Sequence, residues 1–142
     1  MVADQRIRAG LTLDGRMESN PAITTDVDRP FMLMTANHNR AASPYVETFW
    51  GHLRGWRLDV QATGAVHSSY GDHMTLIPQA GRLLGMTDQQ IQYQVGTLDP
   101  YRGVLIQQAY PRAFFDLHLR NRHCGPLLDR PSKAFPEVVY HP

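Results

Sequence analysis

Six residues, Phe31-Met32-Leu33-Met34-Thr35-Ala36, constrain this chain more than any others. Arg29-Pro30 lead into them and Asn37 follows them. A short run that is apolar at successive positions suits a parallel strand buried on both faces. Two more strand candidates flank it, at residues 6–13 and 56–62. Between the second and third lies a helix signal: Ser43 reads as the N-cap and Pro44 as the first helical residue. Tyr45, Phe49, Trp50 and Leu53 then fall at helical spacing, and Gly55 marks the expected end. Strand, helix, strand is the βαβ alternation of a parallel sheet. The expected fold class is therefore α/β, with about three parallel strands, helices and a helical C-terminal region.

Beyond residue 73 the pattern is mainly helical. Met74–Leu84 reads as one helix interrupted early by Pro78. Thr87-Asp88-Gln89-Gln90 has the form of a capping box opening a second short helix. Asp99-Pro100 opens a third, with Val104, Leu105, Gln108, Ala109, Phe115 and Leu119 on one face and an expected kink at Pro111. The tail from Cys124 to Pro142 is rich in proline and ends in Val138-Val139-Tyr140 before His141. The candidate strand at 6–13 reads as a buried strand. Such a strand makes a poor sheet edge, because its unpaired backbone recruits another strand. More sheet is therefore expected before residue 6.

The 142 residues suggest one domain, 1–142, large enough for a substantial core. A net charge of +1, from dispersed arginines and a single lysine, gives no field for nucleic acid. There is no apolar run of about 18 residues to span a membrane. The N-terminal residues have no signal-peptide core, and localisation is not readable. One cysteine, Cys124, cannot form an intrachain disulfide and reads as a spectator thiol.

The residues that carry chemistry sit at strand ends. The third strand runs through Leu58-Asp59-Val60-Gln61-Ala62 into Thr63-Gly64-Ala65-Val66-His67. A histidine on a tight loop after a late strand is where an α/β-hydrolase keeps its general base, at the carboxyl edge of the sheet. His67 is the candidate base, against the bland reading of one surface or core histidine among seven. Asp14-Gly15, after the first strand, is either a plain turn or the acid that orients the base. Asp28 is expected at the opposite, amino end of a strand, and Asp72 as the cap of the following helix. The next strand ends at Asn37-His38-Asn39 without a carboxylate, which favours Asp14.

No nucleophile is assigned. Gly-x-Ser-x-Gly does not occur in the chain. Ser69 has His67 where the first glycine belongs, and Ser43 is explained as a helix cap. No metal is expected either: His38, His67 and His73 form at most a loose set, with no paired ligand spacing. There is no glycine-rich phosphate loop and no cofactor motif.

Several segments together resemble a known group. Arg6-Ile7-Arg8-Ala9-Gly10-Leu11-Thr12-Leu13-Asp14-Gly15 is similar to the strand-plus-acid segment of the bacterial lipases and esterases related to platelet-activating-factor acetylhydrolase. Gly64-Ala65-Val66-His67-Ser68-Ser69-Tyr70-Gly71-Asp72 resembles that group's histidine segment. Leu84–Thr87, Val95–Pro100 and Ala113–Leu119 resemble its C-terminal helical region, in the same order. The resemblance implies a partial α/β-hydrolase fold and a Ser-Asp-His triad that cleaves carboxylic or lipid esters through an acyl-enzyme. It makes Asp14 the acid and His67 the base. In that group the nucleophile elbow comes before the strand that begins here. The chain is then expected to be the rear part of a serine ester hydrolase, inactive alone. It would associate with itself or with a complementing N-terminal half. The alternative is a non-catalytic α/β module for self-association or partner binding.

Overall fold

A computed structural model describes residues 4–37, 40–123 and 125–142. His38 and Cys124, discussed above as a loose ligand and a spectator thiol, lie outside the described residues. Three strands run parallel: β1 (Gly10–Leu13), β2 (Phe31–Thr35) and β3 (Arg57–Ala62). A fourth, β4 (Val138–His141), pairs antiparallel with β3, and the order across the sheet is β1-β2-β3-β4. This is a partial α/β-hydrolase fold, a mostly parallel open sheet with helices.

All five residues of β2 are buried, because both faces of the strand are covered. Phe31 and Leu33 point to one side, into a cluster with Val46, Phe49 and Trp50 of α1 (Pro44–Gly51). Met32 and Met34 point to the other side. There they meet Ile106, Tyr110 and Phe114 of the 21-residue α4 (Pro100–Arg120) and Met74 of α2 (His73–Leu83). The period of two in the strand thus feeds two separate cores. A fourth helix, α3 (Asp88–Val95), adds Ile91 and Val95 to the buried set.

The local signals hold with some changes. Thr87 and Gln90 form the capping box: the Gln90 N–H donates to Thr87 Oγ1 at 3.2 Å, and the Thr87 N–H to Gln90 Oε1 at 2.8 Å. Asp99 caps α4 by accepting the Arg102 N–H at 2.9 Å. Ser43 and Asp72 stand at N-cap positions, but neither side chain makes the capping bond. Both α2 and α4 continue through their prolines, Pro78 and Pro111.

Two expectations are corrected. The first strand has four residues instead of eight, and it is half-buried to exposed rather than buried. Its ladder begins where the Gly10 N–H donates to the Pro30 carbonyl at 3.0 Å. Pro30 has no N–H to return, so pairing cannot extend upstream. The first helix ends at Gly51, not Gly55. Val27 stops it by forming an isolated parallel bridge with Leu53. Gly55 instead passes so close to the Asp28 backbone carbonyl that a Cβ would collide with it. Val138-Val139-Tyr140, with His141, forms strand β4.

The core makes a quantitative prediction. Phe114 is fully buried, whereas Leu83 is 89% exposed. Phe114→Ala is expected to cost about 3–5 kcal/mol in urea unfolding. Leu83→Ala should stay within about 0.5 kcal/mol. Equal losses would contradict the packing described.

Candidate active site

The register sets the site. Leu13 pairs with Met34, and Met34 with Val60, so β1, β2 and β3 finish level at their carboxyl ends. Asp14 leaves β1 at that edge and His67 follows β3 at the same edge. Asp28 precedes β2 and lies toward the amino end.

Asp14 turns the chain sharply, with φ at 53°. Aspartate is one of the few residues besides glycine that enters this left-handed region readily. Its own N–H donates to the Met34 carbonyl at 2.7 Å, extending the ladder by one bond. The carboxylate is only 4% exposed. Oδ1 accepts the Ala36 N–H at 2.8 Å, and Oδ2 lies 3.0 Å from Nδ1 of His67.

The histidine is delivered by a short, well-tied loop. Gly64 takes φ of 81°, and its carbonyl accepts the N–H groups of Thr97 and Leu98 at 2.7 and 3.1 Å. Gly96, at φ 79°, passes directly against the Gly64 backbone. A 3-10 turn over His67–Tyr70 follows. Ser69 pins this turn, accepting the Val66 N–H at 2.9 Å and donating to the Val95 carbonyl at 2.7 Å. The His67 side chain remains 77% exposed. One ring nitrogen is therefore committed to a buried carboxylate, while the rest of the ring is open.

His67 and Asp14 border two open cavities. One, of about 730 Å³, is also lined by Asn37, Thr97 and the exposed ring of Tyr93. The other, of about 510 Å³, reaches Arg16, Ala42 and Ser43. Ser68 and Ser69 are occupied with backbone carbonyls of α3. Among the described residues no group of three or more histidine, cysteine or carboxylate side chains could hold a metal ion.

Ala36 and Arg40, which follow β2, are held by contacts with residues outside the sequence motifs. Gln61 Nε2 donates to the Ala36 carbonyl at 2.7 Å, and its Oε1 is 2.9 Å from His141 Nε2 on β4. Arg40 donates to Glu47 at 2.8 Å, to buried Asp59 at 3.2 Å and to the Pro142 carbonyl at 2.7 Å. Burial pushes the Asp59 carboxyl up, and the nearby Arg40 charge opposes that shift. Spacing carries no signal for the Gln61 contacts or for those of Arg40 with Asp59 and Pro142, because each pairs residues far apart in sequence.

Among solved structures, the chain is similar to a ferulic acid esterase from Streptomyces cinnamoneus. The TM-score is 0.81 at 31% identity, over 98% of this chain and 41% of that one. The fold is that of an esterase-type hydrolase. The chain thus spans less than half the length of the esterase it matches. No family model matches it, and no curated protein does. Within this esterase-type fold, Asp14 and His67 are the acidic and imidazole groups that the strand ends bring together.

The loop geometry is open to test. A methyl group at position 96 would run into the Gly64 carbonyl, and φ there is positive. Gly96→Ala is expected to destabilise the protein by about 1–3 kcal/mol, from backbone strain alone. It should also perturb the NMR signals of the Gly64–His67 loop. Gly51→Ala, at a helical position with open space around it, should not destabilise the fold. A neutral Gly96→Ala would remove the close-approach argument.

Proposed function

We propose that this chain supplies the acid and the base of a serine carboxylic-ester hydrolase. The observation that carries the reading is the 3.0 Å contact between Asp14 Oδ2 and His67 Nδ1 at the carboxyl edge of a parallel sheet. A buried aspartate bonded to Nδ1–H fixes the tautomer of the ring and stabilises the imidazolium that forms. Nε2 is then the basic nitrogen. It takes the proton of an attacking serine hydroxyl as the tetrahedral intermediate forms. It returns that proton to the departing alcohol, leaving an acyl-enzyme. In the second half-reaction it takes a proton from the water that attacks the acyl carbon, then returns it to the serine oxygen as the acyl–oxygen bond breaks and the carboxylic acid leaves.

The serine comes from outside these 142 residues in this reading, since the chain has no Gly-x-Ser-x-Gly. The chain is the rear part of the catalytic domain, within one partial domain spanning 1–142. No metal or cofactor has a step in this chemistry. The substrate is a carboxylic ester, lipid or otherwise, in line with the resemblance to lipases and esterases and with the solved ferulic acid esterase. The DNA just upstream of codon 1 should then carry an in-frame Gly-x-Ser-x-Gly. A genuine translation start with no such frame would favour a non-catalytic α/β module.

Activity gives a direct test. The isolated chain is expected to hydrolyse a p-nitrophenyl ester no faster than a heat-denatured sample. Turnover that disappears with His67→Ala would overturn this, and would place the nucleophile within the chain. Ser43, which borders a cavity with His67, would then be the residue to change first.

Assembly gives a second. Among the described residues β1 has a neighbouring strand on one side only, and Ile7 and Leu13 are 41% and 36% exposed there. Strand pairing along such an edge satisfies backbone groups and covers apolar side chains. Light scattering over a dilution series is expected to show a species heavier than the 16.1 kDa monomer. A monodisperse monomer at micromolar concentration with a cooperative melt would refute the open-edge argument.

A further inference from the structure

One amide group stands behind the acid. The N–H of Ala36 and the C=O of Thr35 belong to the same peptide unit. Its N–H donates to Asp14 Oδ1 at 2.8 Å. Its C=O accepts a hydrogen bond from the Tyr70 hydroxyl at 2.7 Å. Tyr70 is the last residue of the 3-10 turn that His67 begins. The contacts therefore close a ring: base, acid, peptide, phenol, and back along one turn to the base.

A buried tyrosine hydroxyl generally finds some partner, and many such bonds only stabilise a fold. Two features separate this one. The acceptor is the peptide that holds the acid, and the donor rides on the turn that carries the base. Hydrogen bonds at both ends of an amide polarise it, so a donor on C=O strengthens donation from N–H. Burial pushes the Tyr70 hydroxyl above its ordinary value, and the Asp14 charge pushes it the same way. The phenol therefore stays protonated and acts as the donor.

We propose that Tyr70 is a positioning residue for the Asp14–His67 pair, acting through the Thr35–Ala36 peptide without touching substrate. This rests on the acid–base reading above. Tyr70 sets how firmly Asp14 is held, and Asp14 sets which nitrogen of His67 carries the proton.

The test is the tautomer of His67 in the 142-residue chain labelled with 15N-histidine. Long-range proton–nitrogen spectra would be read near pH ~8, where an ordinary imidazole is neutral. The expected result is a His67 ring with its proton mainly on Nδ1. Tyr70→Phe keeps the ring and removes the hydroxyl. It should lower the Nδ1–H to Nε2–H ratio about three- to tenfold, the equivalent of one ordinary hydrogen bond. A purely structural tyrosine would lower the melting midpoint and leave the ratio unchanged, and that result would overturn the proposal while leaving the acid–base pair intact. A starting chain with its proton mainly on Nε2 would overturn the pair itself, and the proposal with it. If Tyr70→Phe does not fold, 3-fluorotyrosine at position 70 keeps the hydroxyl and makes it a stronger donor. The Ala36 amide proton should then move downfield, and an unmoved resonance overturns the proposal.

Discussion

Everything at the site depends on β2 pairing in parallel with both of its neighbours. Adjacent strands lie about 4.8 Å apart, so β1 and β3 stand roughly 10 Å apart across β2. Neither strand end can reach the other without help from the chain beyond it. The parallel register brings both carboxyl ends level, and each then contributes a tight turn toward the middle. β2 itself supplies the backbone between them: the Met34 carbonyl, the Thr35 carbonyl and the Ala36 N–H all bond to the Asp14–Tyr70 assembly. A shift of one residue in either pairing would move Asp14 away from the Ala36 N–H and break this arrangement.

Much of this was legible in the linear sequence, for a physical reason. A strand covered on both faces must be apolar at successive positions, and Phe31–Thr35 is. Helix starts announce themselves through residues that satisfy free N–H groups, as Thr87 and Asp99 do. Small residues before His67 signalled a tight loop. What was not legible involves partners distant in sequence. β4 is a four-residue edge strand in a proline-rich tail, and only its pairing with β3 makes it a strand. The shortening of β1 depends on Pro30, which stands just before another strand. Tyr70 stands three positions after His67, but its partner, the Thr35 carbonyl, is 35 positions away.

The helices serve the site indirectly. α1 fills one face of the sheet, and its Trp50 ring has the guanidinium carbons of Arg40 and Arg57 at 4.3 and 4.4 Å from its centroid. Arg40 in turn ties that face to β3 and to the end of β4. On the other side α3 acts as a wall for the histidine loop, accepting Ser68 and Ser69 through its last carbonyls. The acid is thus braced by the sheet and the base by a helix. The two meet through one contact at 3.0 Å.

The left-handed backbone at Asp14 narrows what could ever stand there. Carboxylate chemistry alone would admit glutamate. The conformation admits glycine, asparagine and aspartate most readily, and of these only aspartate carries a charge. Two independent filters, one on the main chain and one on the side chain, overlap at a single amino acid. The usual conservative exchange of one acid for the other therefore adds backbone strain at this position. A chain that lost Asp14 would have to regrow its acid from a different strand end.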